Sequence, residues 1–383
     1  MIIKDRPDDF IVEEIPLRKS GGLSDGLSGG LGSAWDDAGE FCVFKLTKID
    51  LNTEQAMEIL SRKFHIPLTN IKYAGTKDKR AVTTQYISIP NKQGVKGINL
   101  NEGNLKLEHV GYSDVPLSLG TLKGNRFIIT VRDPTDDELK SLESKQSKNL
   151  ADTGNIHQDT FIIPNYFDDQ RFSKNNLGIG IAILKKEYAK AVELLLSDPY
   201  YDNTLRTRFE AFPNDHIGML SRVSKKILLM FIHSVQSYIF NEALSRMLIE
   251  YAESDAKKEG AKISAKISAK ISYYAVDYSL GKLIFYANTK DYARVDVELF
   301  DLPGFNSDDV SHHVKKILEE LGLSPRDFIV RALPDLSVEG AARECFVAAE
   351  NLKAEILDGR TILEFELSKG SYATMVLKGL FNS

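Results

Sequence analysis

The chain has 383 residues, a length typical of two or three domains rather than one. Apolar residues make up 43% and charged residues 27%, which excludes a wholly disordered or collagen-like protein. No stretch approaches the roughly 18 uninterrupted apolar residues of a membrane span, and the amino terminus becomes charged before the apolar core of a signal peptide develops. We therefore expect a cytoplasmic protein that contacts no membrane.

Cysteine and histidine usage argues against a metal site. The two cysteines, Cys42 and Cys345, are too few for a disulfide framework or a cysteine-based zinc or iron-sulfur site. The histidines are scattered apart from His312 and His313, and no pair has the spacing of an H-E-x-x-H helix. We expect a reducing compartment and no protein-bound metal.

The overall charge of −5 conceals an uneven distribution. Between residues 62 and 132 there are twelve lysines and arginines against four acids, a local charge of +8. Such a segment is compatible with binding a phosphate backbone, because counterion release depends on the charges at the contact and not on the total. A solvated lysine-rich face would explain the same numbers.

The first third of the chain has the pattern of a β-sheet. Short apolar segments bounded by turn residues predict strands over 9–15, 40–46, 71–75, 84–89, 104–110 and 126–132, of which 40–46 is largely apolar on both faces. Residues 20–33 are rich in Gly and Ser, a composition typical of a flexible loop. Apolar residues at helical spacing follow Asn52 and Thr53, either of which can cap a helix.

The remainder is more helical until the carboxyl terminus. Polar residues after Asp133 predict a short helix, and 178–198 and 219–250 have long helical patterns. The AKIS repeat near 262–272 is too short for a solenoid and indicates an insertion or surface extension. A strand over 361–367 and a final helix follow. Strands early and late with helices between them predict an α+β protein whose sheet domain is interrupted by an inserted helical domain.

One acidic residue stands out as a candidate for chemistry. Asp78 lies among Lys77, Lys79 and Arg80 in YAGTKDKRAVTTQ, on a turn between two predicted strands. Nearby cations stabilise an ionised carboxylate, which suits a nucleophile or general base, and the same cations would attract phosphates. An ordinary charged loop explains the pattern as well. A phosphate-loop nucleotide hydrolase is disfavoured because the G-x-x-x-x-G-K-[ST] frame is absent.

Further motifs occur in order along the chain. They are KDRPDDFIVEE (4–14), AGTKDKRAVTTQ (74–85), LGTLKGNRF (119–127), PNYFDDQRFS (164–173) and GSYATMVL (370–377). This set resembles the motifs of the TruD family of tRNA pseudouridine synthases, in a form nearer to its archaeal branch. The ordered matches span nearly the whole chain. The departures are Asp168 and Ser173, where the family usually has glycine, and they matter only if those positions need a positive φ or a close backbone approach.

The resemblance implies both a fold and a reaction. It implies a pseudouridine-synthase-like catalytic domain with a mixed or antiparallel sheet, formed by residues 1–158 and 343–383. An inserted, more helical α/β TRUD domain would span 159–342. The implied reaction is isomerisation of uridine in tRNA, with position 13 as the family's usual target, through an aspartate nucleophile and base rotation, with no cofactor. We expect a monomer whose partner is tRNA.

The resemblance also implies roles for single residues. Asp78 would be the nucleophile, and Lys4 would orient it through an ion pair. The substrate-binding residues would be Phe10, Lys77, Lys79, Arg80, Asn125, Phe127 and Tyr372. Among these, Phe127 would stack on the target base, Asn125 would hydrogen-bond a base edge or the backbone, and the other aromatics would line the pocket.

Plainer explanations exist for each residue taken singly. Lys4 has the position of a solvated terminal lysine, Phe127 that of a core residue in a strand, and Asn125 that of a turn former. A non-catalytic RNA-binding protein that keeps the scaffold is the alternative function. The intact set of Lys4, Asp78, Asn125 and Phe127 disfavours it, because a binding protein has no need of a carboxylate beside phosphates.

Overall fold

The computed structural model describes residues 2–17, 35–92, 94–145, 155–173, 175–198, 203–259 and 270–382. The Gly/Ser-rich loop predicted over 20–33 and most of the AKIS repeat lie outside these residues. The strands are β1 (Phe10–Pro16), β2 (Phe41–Ile49), β3 (Lys72–Tyr73), β4 (Val82–Pro90), β5 (Leu100–Glu102), β6 (Leu105–Ser113), β7 (Leu122–Arg132), β8 (Asn155–Pro164), β9 (Tyr273–Tyr278), β10 (Gly281–Tyr286), β11 (Leu299–Leu302), β12 (Ala341–Glu344), β13 (Phe346–Leu357) and β14 (Arg360–Ser368). The α-helices are α1 (Thr53–Phe64), α2 (Asp136–Ser144), α3 (Asn176–Leu184), α4 (Tyr188–Leu196), α5 (Asn203–Ala211), α6 (His216–Leu220), α7 (Lys225–Glu259), α8 (His312–Leu321) and α9 (Ala373–Phe381).

The chain forms two compact units. Unit 1 comprises Met1–Phe161 and Ala348–Gly370, and unit 2 comprises Ile162–Val347 and Ser371–Ser383. The expected catalytic domain includes all residues after 342, whereas α9 groups with unit 2. The physical reason is that Thr374 and Lys378 of α9 donate hydrogen bonds to the carboxylates of the segment that follows β8.

Unit 1 is built on one large mixed sheet with the strand order β5-β6-β2-β4-β1-β7-β14-β13-β8, and β3 pairs with β4. β1 runs parallel to β4 and antiparallel to β7, while β2 runs antiparallel to both β4 and β6. The prediction of an α+β fold with a mixed sheet is confirmed.

Helix α1 covers part of one face of this sheet. Asn52 caps it, accepting a hydrogen bond from the Gln55 backbone N–H at 2.7 Å, so the predicted cap is confirmed. The apolar side of α1 packs on the inner residues of β2, β4 and β6 to form the core of this part of unit 1, which includes Cys42, Phe44, Leu46, Ala56, Met57, Leu60, Ile87 and Leu107.

The strand registers define which other residues share that face. Lys48, Thr83, Val12, Phe127 and Phe365 are successive register partners across β2, β4, β1, β7 and β14. Residues directly opposite one another on paired strands point to the same side of a sheet. The face that α1 covers over β2 and β4 therefore continues over β1, β7 and β14, where the candidate site lies.

Unit 2 is organised around α7, which packs against α3, α8 and β10. Gly180 of α3 permits the close approach of α3 to α7, because a Cβ at this position would lie 2.2 Å from the Phe231 carbonyl oxygen of α7. Among the described residues, α7 is the one helix long and apolar enough to span a bilayer, with a mean hydropathy of 1.2 over its most apolar window. That window is 67% buried inside the protein, as in the core helix of a globular domain.

The two positions that depart from the family's glycines need no glycine in this chain. Asp168 has φ −87° and Ser173 has φ −48°, values open to any residue. The Asp168 carboxylate accepts a hydrogen bond from Thr374 Oγ1 at 2.6 Å and lies 3.2 Å from Lys378 Nζ. Asp168 thus attaches α9 to the body of unit 2, which accounts for the grouping of the last helix.

We expect Asp168→Gly to lower the free energy of unfolding by about 1–3 kcal/mol, because Thr374 and Lys378 lose a largely buried acceptor. Ser173→Gly is the matched control, since Ser173 is exposed, and we expect it to cost less than about 1 kcal/mol. Urea unfolding of the two variants checks this. Equal losses in both would show that Asp168 does not hold α9.

Candidate active site

The segment that carries Lys4 is attached to the end of β7 at two points. Ile2 and Arg132 exchange backbone hydrogen bonds of 3.1 and 2.9 Å. The Arg132 guanidinium donates to the buried Asp9 carboxylate through Nε and Nη2, with contacts of 2.7 to 3.0 Å. Between these points Lys4 has φ +59°, a left-handed conformation that is uncommon outside glycine and costs on the order of 1 kcal/mol. Anchors on both sides hold Lys4 in that conformation.

The loop that carries Asp78 joins β3 to β4 and is held through its backbone. Lys48 Nζ donates to the Asp78 carbonyl oxygen at 2.8 Å. The Lys77 backbone N–H donates to Thr53 Oγ1 at 2.9 Å, and that hydroxyl donates to Gln85 Oε1 at 3.1 Å. Buried polar groups of β2, α1 and β4 therefore fix the position of this loop.

The structure brings Lys4 and Asp78 together. Lys4 Nζ lies 3.4 Å from Asp78 Oδ2, and the two side chains are 26% and 29% exposed. The same ammonium lies 3.9 Å from the centroid of the Phe10 ring. The carboxylate is thus paired with a cation and still accessible from solvent.

Aromatic rings continue from this ion pair across the sheet. The Phe10 and Phe127 rings meet edge to face at 6.1 Å, and Phe127 stacks on Phe365 at 5.6 Å. Phe10 and Phe127 are both buried. Asp78, Lys4, Phe10 and Phe127 therefore form one continuous series of contacts within unit 1.

Asn125 adds an unused hydrogen-bond acceptor on the same face of the sheet. Its Oδ1 is buried and has no hydrogen-bond partner among the described residues. It lies opposite Glu14 of β1 and Leu367 of β14 in the strand register. A Cβ on the preceding Gly124 would lie 2.1 Å from the Leu367 carbonyl oxygen, so the close approach of β7 and β14 requires glycine there. A free carbonyl oxygen in this position can accept a hydrogen bond from a ligand N–H.

A comparison with known proteins gives the family. The model of the family described as tRNA pseudouridine synthase D (TruD) matches residues 1–211 and 201–380. The chain belongs to the TruD family. The resemblance carried by the sequence motifs is confirmed.

Relatives match over the full length. Probable tRNA pseudouridine synthase D 2 of Methanocaldococcus jannaschii is 30% identical over 439 residues, covering 100% of this chain and 92% of the relative. Probable tRNA pseudouridine synthase D 1 of Methanococcus maripaludis is 29% identical over 432 residues, covering 100% of both. The crystal structure of a TruD from Methanosarcina mazei has a TM-score of 0.60 and 25% identity, covering 99% of this chain and 93% of that one.

The three cations beside Asp78 are placed differently in this TruD chain. Lys77 Nζ lies 2.8 Å from Glu14 Oε1, and these side chains are only 8% and 2% exposed. A side chain that binds a phosphate must be exposed. The Lys77 ammonium is instead enclosed within unit 1, where the Glu14 carboxylate balances its charge. Arg80 is exposed and donates to the Asp5 carbonyl oxygen at 2.7 Å, and Lys79 is exposed.

In the folded protein, neighbouring acids offset much of the positive charge of the basic segment from 62 to 132. Seven of its twelve cations pair with acids, most of which come from other parts of the chain; these cations are Arg62, Lys63, Lys77, Lys106, Lys123, Arg126 and Arg132. The ion pairs of the described residues do not include Lys72, Lys79, Arg80, Lys92 or Lys96. These five cations are the ones left to attract a polyanion.

Tyr372 belongs to unit 2, whereas the other residues expected at the site belong to unit 1. It precedes α9, and its ring lies 6.1 Å from that of Phe167 in the PNYF motif. The Arg343 guanidinium lies 4.1 Å from the Phe167 ring, and its Nη2 donates to Asn165 Oδ1 at 2.6 Å. Tyr372 thus joins an arginine-aromatic cluster of unit 2.

Sequence reasoning missed Lys48 and Glu14, which are buried partners of the Asp78 loop. A signal for Lys48 was present, because it follows Phe44 and Leu46 at a spacing of two, on the buried face of β2. Among the described residues there is no group of three or more His, Cys, Asp or Glu side chains that could hold a metal ion.

Proposed function

We propose that this TruD chain isomerises uridine in tRNA to pseudouridine, with Asp78 as the nucleophile. The reaction class is that of its family, and its relatives carry the name tRNA pseudouridine synthase D. The observation that supports the role of Asp78 is its ion pair with Lys4, 3.4 Å long, beside the Phe10 ring and open to solvent. The ammonium stabilises the ionised carboxylate, the form that acts as a nucleophile.

In the proposed mechanism Asp78 attacks the target nucleoside, either at the uracil ring or at the ribose carbon. The glycosidic bond breaks, and the detached uracil rotates within the pocket. A bond then forms between uracil C5 and the ribose carbon, and the bond to the Asp78 carboxylate breaks. The C5 proton leaves, and N1, which has lost its bond to the ribose, gains a proton. Reactant and product are isomers, so the proposal includes no cofactor and no metal.

The neighbouring side chains would hold the base. Phe127 would stack on uracil, an interaction worth about 1–3 kcal/mol for a base on an aromatic ring. The free Oδ1 of Asn125 would accept a hydrogen bond from a uracil N–H. Phe10 would form the wall of the pocket against which Lys4 packs. Tyr372 is proposed as a pocket residue on the strength of its family motif alone.

The substrate would be uridine 13 of tRNA, extruded from its stack before the carboxylate reaches it. Extrusion costs only a few kcal/mol in partly unpaired elements. The exposed Lys79 and Arg80 would contact flanking phosphates. We propose further that the protein acts in the cytoplasm as a monomer and that it binds no membrane.

Incubating the purified protein with unmodified tRNA transcripts, with a chelator present, and mapping pseudouridine by mass spectrometry tests the proposal. We expect one pseudouridine at position 13. A protein that binds tRNA and forms no pseudouridine in any transcript would instead fit the alternative of a non-catalytic RNA-binding protein. Pseudouridine at another position would keep the reaction and replace the target.

A further inference from the structure

Lys48 is a fully buried lysine to which the proposed chemistry gives no role. It lies on β2 and is 0% exposed. Phe44 and Leu46, on the same face of the strand, belong to the apolar core under α1. A lysine that continues such a face needs a specific set of partners, because a buried ammonium must recover the hydrogen bonds that it makes in water.

The partners of Lys48 are main-chain carbonyl oxygens. Its Nζ donates to Leu51 at 2.6 Å and to Asp78 at 2.8 Å, and the Lys77 carbonyl oxygen lies 3.5 Å away. An ammonium has three donors, so these carbonyls account for all of them. The ammonium therefore joins the end of β2 to the backbone of the loop that presents the Asp78 carboxylate.

Burial of the charged form of this lysine carries a cost for the fold. Burial lowers the pKa of Lys48 to about 8, with the Asp78 and Glu54 carboxylates acting to raise it and the Lys77 ammonium acting to lower it. Between that pKa and the ordinary value of 10.5 the unfolded chain binds a proton that the folded chain does not. Folding stability therefore rises with pH across this range, so the charged form is the one that the fold disfavours.

We propose that Lys48 is a positioning residue for Asp78. Its ammonium fixes the Asp78 peptide, and the Lys4 ammonium fixes the Asp78 carboxylate, so that the two lysines hold the nucleophile from its main chain and from its side chain. This inference rests on the proposed function, because it assigns Lys48 a task in that reaction. Misplacing a reacting group by about 1 Å can cost roughly 100-fold in rate.

The test compares variants in a single-turnover pseudouridine assay with saturating tRNA. Lys48→Met removes the donors at nearly constant volume, and we expect a fall in the rate of about 100-fold with tRNA affinity within about 3-fold of the parent. Lys48→Arg keeps a cation and donors, and we expect it to recover at least about 10-fold of that loss. Lys45→Met is the matched control, because Lys45 lies on the same strand and faces the other side of the sheet, and we expect the parent rate.

The pH dependence of the parent supplies a measurement that needs no variant. We expect the rate to fall as the pH rises above about 8, when Lys48 loses its proton, and we expect the fall to be absent in Lys48→Arg. If Lys48→Met does not fold, the pH profiles of the parent and of Lys48→Arg test the positioning role instead. A parent rate that is flat up to about pH 9.5, or a Lys48→Met variant with the parent rate, would overturn the inference.

The rates of Lys48→Met and Asp78→Asn together distinguish a failure of the positioning role from a failure of the proposed function. The parent rate in Lys48→Met combined with an inactive Asp78→Asn would remove only the positioning role. An Asp78→Asn variant with the parent rate would remove the nucleophile on which the role of Lys48 depends.

Discussion

Asp78→Asn is expected to abolish pseudouridine formation while tRNA affinity stays within a few-fold of the parent. The amide is nearly isosteric with the carboxylate and cannot form the covalent bond on which the mechanism depends, so we expect a fall in rate of at least about 10³-fold. A single-turnover assay measures the rate and filter binding measures the affinity. The Lys4 to Asp78 ion pair reaches solvent, so its loss should change the free energy of unfolding by less than about 1 kcal/mol.

Asp114→Asn is the matched control for this variant, because Asp114 is an exposed aspartate of the same unit that lies outside the candidate site. We expect Asp114→Asn to form pseudouridine at the rate of the parent. Turnover by Asp78→Asn near the parent rate would remove Asp78 from the nucleophile role. A large loss of tRNA affinity in Asp78→Asn would show instead that the carboxylate contributes mainly to binding.

Local patterns in the sequence predicted strands wherever alternation was regular. β14 was found within one residue of its observed ends, since its buried positions keep a strict period of two. β4 was found within two residues of its ends, although its buried positions do not alternate strictly. β13 was missed although it has twelve residues. A register shift between Glu350 and Lys353, with Asn351 at φ +54°, moves the buried positions from Val347 and Ala349 to Leu352 and Ala354. A bulge of this kind breaks the alternation by which a strand is recognised.

The candidate site depends on contacts between residues far apart in the chain, which local patterns do not predict. Lys4 and Asp78 were placed together only through the family resemblance, and the contacts that bring Lys4 there involve Arg132. The charges near Asp78 illustrate the same point. Lys77 and Lys79 look alike in sequence, but one is buried against Glu14 and the other is exposed.

Asp9→Asn is expected to destabilise unit 1 strongly. Asp9 is 2% exposed, and its carboxylate accepts hydrogen bonds from the Arg132 guanidinium and from the Arg6 backbone N–H. Loss of the negative charge leaves Arg132 without its carboxylate partner in a largely enclosed place. We expect the Tm to fall by roughly 5–10 °C at neutral pH, as for the loss of one partner of a buried ion pair. Thermal unfolding followed by circular dichroism measures this.

We expect the destabilisation caused by Asp9→Asn to become smaller as the pH falls. The hydrogen bonds from the Arg132 side chain, followed by that of the Arg6 backbone, lower the pKa of Asp9 below its ordinary value of 3.8, although burial acts to raise it. The stability that this group contributes is complete above its unfolded pKa and is lost as the pH falls through the lower folded pKa. The difference in Tm between the parent and Asp9→Asn should therefore be constant near neutrality and shrink as the solution is acidified below about pH 4.

Asp8→Asn is the control for both measurements, because Asp8 lies in the same turn and is exposed. We expect it to change the Tm little at any pH. Asp9→Asn should also lower the rate of pseudouridine formation at temperatures where it remains folded, since Asp9 anchors the segment that carries Lys4. Equal Tm values for the two variants, or a difference that grows in acid, would show that the Asp9 to Arg132 pair does not hold this segment. The position of Lys4 would then depend on the backbone bridge at Ile2 and on the hydrogen bond from Arg80 to the Asp5 carbonyl oxygen.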